Sequence, residues 1–181
     1  MTKAPTGNRR EWVLAALQQY EGRLSRFALR LLGDRQSADD AVQHAFLRLC
    51  DQAPEQVDGC LARWLFTVCR NKAVDVLRAR HRAEPLEGDP PGVASREPDP
   101  ADAAEQHDLY CRLSRVVAQL PLGQRESLDL WTEGFAFREI AAITGRTEVN
   151  VRVLVHRALT TLRQHPLAQE HSLRSTNPLR Q

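Results

Sequence analysis

The stretch FREIAAITGRTEVNVRVLVHRALTTLR, Phe137 to Arg163, reads as two short helices joined by a tight turn. The first would bury Ile140, Ala141 and Ile143 and close at Gly145, because glycine takes the left-handed conformation that ends a helix without steric cost. Thr147 is placed to cap the second helix and Glu148 meets the positive end of its dipole. Val151, Val155, Ala158, Leu159 and Leu162 then recur at helical spacing, which leaves Asn150, Arg152, Val153, His156 and Arg157 on the outer face. A cationic, amide-bearing face on the second helix of such a pair carries the donors that read base edges in a major groove. The plainer alternative is a helical hairpin with a solvated charged face. Turn, cap and outer face agree in one segment, which favours a DNA-binding helix-turn-helix, a motif that by itself serves repressors, activators, recombinases and initiation factors alike.

Around this segment lies a chain of 181 residues, enough for a sizeable core or for two modest modules. It contains no apolar run long enough to span a bilayer, and Met1 to Arg10 is polar without an apolar centre, so neither membrane insertion nor a secretory signal is expected and the protein is placed in the cytoplasm. Cys50, Cys60, Cys69 and Cys111 form no CxxC pair and have no short-spaced histidine partners. Buried free thiols are the expectation, with no metal and no cofactor. The formal charge of +2 hides an asymmetry: residues 83–105 hold seven acids against Arg96 alone, a local net charge of −6, so the remainder carries +8. A basic body with an acidic interruption suits nucleic-acid binding.

In chain order, Trp12, Val13, Leu17, Tyr20, Leu24, Phe27, Ala28 and Leu31 share one stripe and predict a long amphipathic helix over roughly 11–32, ended by Gly33. Ser37 is the expected cap of the next helix, whose core face is Ala38, Ala41, Val42, Ala45, Phe46 and Leu49. DQAPEQVDG, Asp51 to Gly59, reads as a loop. A third helix follows to about Arg82, with Leu61, Trp64, Leu65, Val68, Ala73, Val76 and Leu77 inward and Arg63, Arg70, Lys72, Arg78, Arg80 and Arg82 on its polar face. Arginine interleaved with aromatics suits stacking and phosphate contacts on single strands, although Trp12, Trp64 and Phe66 read equally well as core.

Five prolines and two glycines between Ala83 and Ala101, with almost no apolar content, mark a linker. Helix resumes near Asp102, with Leu109, Leu113, Val116, Val117 and Leu120 as its stripe; Pro121 and Gly123 interrupt, and a further helix is expected over Arg125 to Trp131. The expected fold is therefore all-α: two small helical domains, 11–82 and 103–165, joined by an acidic Pro-rich linker over 83–102, the second ending in the helix-turn-helix, with a polar, fraying tail over 166–181.

Taken together the two modules resemble a bacterial sigma factor of the extracytoplasmic-function (ECF) group, the small two-domain members of the sigma-70 family. SADDAVQHAFLRLC, Ser37 to Cys50, resembles the helix by which such factors grip the clamp of core RNA polymerase. WLFTVCRNKAVDVLRAR, Trp64 to Arg80, resembles the helix that engages the opened minus-ten element. Leu120 to Leu159 resembles the domain that reads the minus-thirty-five element.

The resemblance implies clamp contacts at Asp40, Gln43, Phe46 and Leu49. It implies single-strand contacts at Trp64, Asn71, Asp75, Arg78 and Arg80, and groove contacts at Arg152, Val153, His156 and Arg157, to which Asn150 is added from the outer face. Core RNA polymerase and promoter DNA are the implied partners, with an anti-sigma factor as a further candidate, and no enzymatic activity is implied. His44 departs from a usual acid, Cys50 from a common Trp and Ala136 from a usual capping Ser. Val149-Asn150 and Val153-Leu154 replace the more familiar Gly-Thr and Ser-Arg, which bears on the promoter sequence read. The principal alternative is a stand-alone helix-turn-helix regulator whose amino-terminal helices dimerise or bind a partner; no nucleophile, base and orienter grouping supports an enzyme.

Overall fold

The computed structural model describes residues 6–57, 59–83 and 115–166. Helix α1 spans Thr6–Leu32 and stops at Gly33, whose φ of 76° turns the chain while its amide donates to Leu29 O at 2.9 Å. Helix α2, Arg35–Cys50, is capped by Asp34, whose Oδ1 accepts from the Ser37 amide at 2.8 Å. The expected cap at Ser37 is thereby corrected. A carboxylate three residues earlier holds the same amide and adds charge complementary to the dipole, so Ser37 falls inside the first turn.

The segment expected as a loop contains one helical turn, α3 at Pro54–Val57, begun by a proline whose fixed φ suits a first helical position. Helix α4 runs over Leu61–Ala83. Residues 115–118 are helical, and α5 (Leu122–Thr132), α6 (Phe137–Thr144) and α7 (Glu148–Gln164) follow. The expectations for the linker after Ala83, for the helix start near Asp102 and for the tail beyond Pro166 lie outside the described residues. Among the described residues there is no strand, and no helix is long and apolar enough to cross a membrane.

The stripes meet as their periodicity requires. Leu24, Phe27 and Leu31 of α1, Ala41, Ala45 and Leu49 of α2, and Leu65, Phe66 and Cys69 of α4 are all essentially buried. This core does not stop at the first module but continues through Leu130, Phe135, Ile140, Ile143, Val151 and Val155 of the second. Phe66 joins them, its ring 5.3 Å from Phe27 and 4.9 Å edge-on from Phe135. A smaller cluster of Leu120, Leu128 and Ala158 lies behind α5 and α7.

Ion pairs frame the seam between the modules. Arg23 donates to Glu133 at 3.0 Å, and Arg30 donates to Asp129 at 2.8 Å and to Glu133 at 3.2 Å. Arg70 of α4 donates to Glu126 at 3.0 Å, and Arg125 reaches back to Leu31 O at 3.0 Å. The two modules expected on either side of the linker are thus docked, with acids of α5 facing arginines of α1 and α4.

Candidate nucleic-acid interface

The recognition helix is set by its two ends. Gly145 closes α6 with φ 68°, and Thr147 caps α7 by accepting from the Asn150 amide at 3.2 Å. Ala136 offers no side-chain acceptor at the start of α6, yet Glu139 accepts from the Ala136 amide at 2.9 Å, so half of a capping box survives the missing hydroxyl. With Val151, Val155 and Ala158 turned inward, Asn150, Arg152, Val153, His156 and Arg157 all stand exposed, as the spacing predicts. Arg152 is engaged: it donates to Glu148 at 2.6 Å and its guanidinium lies 4.7 Å from the centre of the Phe137 ring. Val149, noted in the sequence only as a departure from the family pattern and not among the groove contacts, is 72% exposed beside it. Its signal was available, since an apolar residue off the buried stripe has no packing role.

The cationic face of α4 divides. Asn71, Asp75 and Arg78 are exposed, with Asp75 and Arg78 paired at 3.8 Å, and Trp64 is half-buried against the core. Arg80 is otherwise employed. It donates to the Asp34 carboxylate, to Ser37 Oγ at 2.7 Å and to Leu32 O at 3.0 Å, tying the end of α4 to the corner between α1 and α2. In this arrangement Arg80 is held by these three contacts, and Arg70 is likewise committed to Glu126.

On α2, Asp40 and Gln43 are exposed, whereas Phe46 and Leu49 are buried, at 8% and 0% exposure. The buried pair obeys the helical period of the core stripe and packs the helix against the core. The apolar side chain that α2 does present is Leu47, 60% exposed, bordering a shallow depression with Asp40, Gln43, His44 and Lys72.

Burial shifts some of these groups. Asp129 is pushed up to about 6, chiefly by burial and in part by Glu133, against the pull of Arg30 and Arg125; burial correspondingly lowers Arg125. Burial would raise Asp34, but hydrogen bonds from Ser37 and Arg80 outweigh it and hold the carboxyl below its ordinary value. Cys69 is buried and raised to about 12, as expected of an inert core thiol, while Cys60 is half-buried and Cys50 is exposed, contrary to the expectation of burial. Among the described residues no group of His, Cys, Asp or Glu is arranged to hold a metal ion.

Two family models match the chain: Sigma-70 region 2 over residues 16–83 and Sigma-70, region 4 over residues 112–162. The chain is 35% identical over 156 residues to the ECF RNA polymerase sigma factor SigL of Mycobacterium tuberculosis, covering 82% of this chain and 85% of that one. It is 29% identical over 152 residues to the ECF sigma factor SigE of Mycolicibacterium smegmatis and 37% identical over 106 residues to RpoE of Cereibacter sphaeroides. The aligned parts span 59% and 58% of those two relatives' length. Among solved structures the fold is similar to that of the sigma factor RpoE from Bartonella quintana, determined with the anti-sigma factor NepR (TM-score 0.64, 23% identity, 86% of this chain and 95% of that one). It is also similar to CnrH, determined with the cytosolic domain of CnrY (TM-score 0.59, 20% identity, 93% and 91% covered).

Proposed function

Because the chain belongs to the ECF group of the sigma-70 family, we propose that it is the promoter-specificity subunit of a bacterial RNA polymerase, working in the cytoplasm and contributing recognition while the polymerase does the chemistry. The observation that carries this reading is the coexistence of two exposed and chemically different surfaces in one chain. The outer face of α7 offers amide, imidazole and guanidinium donors to a major groove, and the face of α2 offers Asp40, Gln43 and Leu47 to a protein. Trp64, Asn71, Asp75 and Arg78 of α4 supply the contacts to unpaired minus-ten bases. The neighbour solved with the anti-sigma factor NepR supports an anti-sigma partner for this chain as well.

The docked modules are the resting form. Elements centred about 25 base pairs apart lie roughly 85 Å apart along B-DNA, at about 3.4 Å per step. Two readers joined through the 3.0 Å contact of Arg70 with Glu126 cannot serve both, so polymerase must hold them apart. The test is binding of labelled promoter duplex at fixed physiological salt to the chain alone, to core polymerase alone and to the mixture. Sequence-specific binding only in the mixture is expected. Tight specific binding by the chain alone, indifferent to polymerase, would establish a stand-alone regulator in its place.

A further inference from the structure

Val149 and Val153 stand one turn apart on the outer face of α7, 72% and 41% exposed, in the amino-terminal half of the helix. Neither supports the fold, because the inward positions are already filled by Val151, Val155 and Ala158. A β-branched residue has no propensity advantage on a solvated helix either. Around them the surface is polar and largely basic, with Asn150, Arg152, His156 and Arg157 all exposed, so the apolar pair sits inside a face whose charge matches phosphate-lined DNA. Arg152, the neighbouring guanidinium, has two nitrogens on Glu148, at 2.6 and 3.2 Å, and stacks on Phe137. The centre of the reading face is therefore two isopropyl groups and not a free guanidinium.

Resting on the promoter-binding reading above, we propose that Val149 and Val153 make this recognition helix a reader of thymine C5-methyl groups. The only feature of a major groove that an apolar side chain distinguishes is that methyl. Residues four apart are about 6 Å apart along the helix axis, or one to two base steps, so the two valines address two nearby thymines. Donor groups further along α7, at His156 and Arg157, read the adjoining positions. The promoter element selected by this chain is accordingly one in which replacing thymine by a pyrimidine lacking the methyl weakens binding.

The test uses core polymerase loaded with the full chain. A duplex library randomised over the minus-thirty-five segment is selected, and each thymine in the enriched sequence is then replaced by deoxyuridine, which keeps base pairing and removes only the methyl. At two nearby positions the replacement should weaken binding by about fourfold, the ratio expected for losing burial of one methyl-sized group. Val149→Ala should abolish the thymine–uridine difference at one of these positions and Val153→Ala at the other, with helical content and melting not reduced, since both side chains are exposed and alanine favours helix. Enrichment of a defined element in which every deoxyuridine replacement is neutral, or a difference that survives both substitutions, overturns methyl reading while leaving the sigma-factor reading intact. Failure of the loaded polymerase to enrich any element overturns both.

Discussion

Arg70 and Glu126 form an ion pair across the seam between the two modules, Nε to Oε2 at 3.0 Å, with the Glu126 side chain wholly buried. The same carboxylate accepts from Arg146 at 2.8 Å, so one buried acid joins α4 to the turn of the helix-turn-helix. Two guanidiniums on one carboxylate satisfy it where water cannot, which is the condition under which a buried charge is tolerated.

Removing that acid leaves both arginines facing an empty, largely dry site. Glu126→Ala is expected to lower the unfolding free energy by about 3–5 kcal/mol, the usual cost of breaking a buried ion pair from one side. Denaturant melts would show it, and a loss below about 1 kcal/mol would mean that the seam is already open in solution.

Asp129 makes the seam sensitive to pH. Arg30 of α1, Arg125 of α5 and Glu133 at its C-cap face it, and burial places its carboxyl at about 6. A raised carboxyl binds a proton more readily in the packed state than in the open chain, so its contribution is present below the ordinary carboxylate range and is lost as pH rises through about 6. The melting temperature should therefore gain an Asp129-dependent increment between pH 7 and pH 5. Asp34, held low, acts in the opposite sense only in more acid solution. Melts of Asp129→Asn should lack the increment; identical profiles for the two proteins would remove Asp129 from the account.

If docking competes with assembly, weakening it should favour the polymerase-bound state. Arg23→Ala combined with Arg30→Ala removes partners of Glu133 and Asp129 at partly exposed positions. Apparent affinity for core polymerase should rise by up to about tenfold, equivalent to about 1.4 kcal/mol. Titration of labelled polymerase reads this directly, and unchanged or weaker binding would show that the modules need not part.

The protein-facing side of α2 is Asp40, Gln43 and Leu47. Changing Asp40 and Gln43 to Ala should weaken polymerase binding with helical content intact, and Leu47→Ala should weaken it further. Phe46→Ala, by contrast, should reduce stability by about 3–5 kcal/mol as a core truncation. Normal assembly of the triple variant would move the contact surface elsewhere.

Arg157 is exposed on the groove side of α7. Arg157→Ala should cost about 1–3 kcal/mol in duplex recognition if the side chain reads a base, and should leave polymerase binding unchanged. Promoter binding across variant minus-thirty-five sequences tests this, and an unaltered preference would exclude Arg157 from the reading face.

What the sequence by itself determined was local. The stops at Gly33 and Gly145, the cap at Thr147 and the outward stripe of α7 follow from interactions within one or two turns, which periodicity and capping chemistry report. Periodicity also placed Phe46 and Leu49 in the core, against the family resemblance that gave them to a partner. Only the tertiary structure decided which arginines are available. Arg70 and Arg78 share a helix and a local signature, yet Arg70 is bound to an acid 56 residues away while Arg78 remains exposed. A guanidinium on a helix face looks the same in sequence whether it will meet a phosphate or a carboxylate. The choice is made by packing that brings distant segments together, with Arg23 and Glu133 110 residues apart in the chain and 3.0 Å apart in the fold.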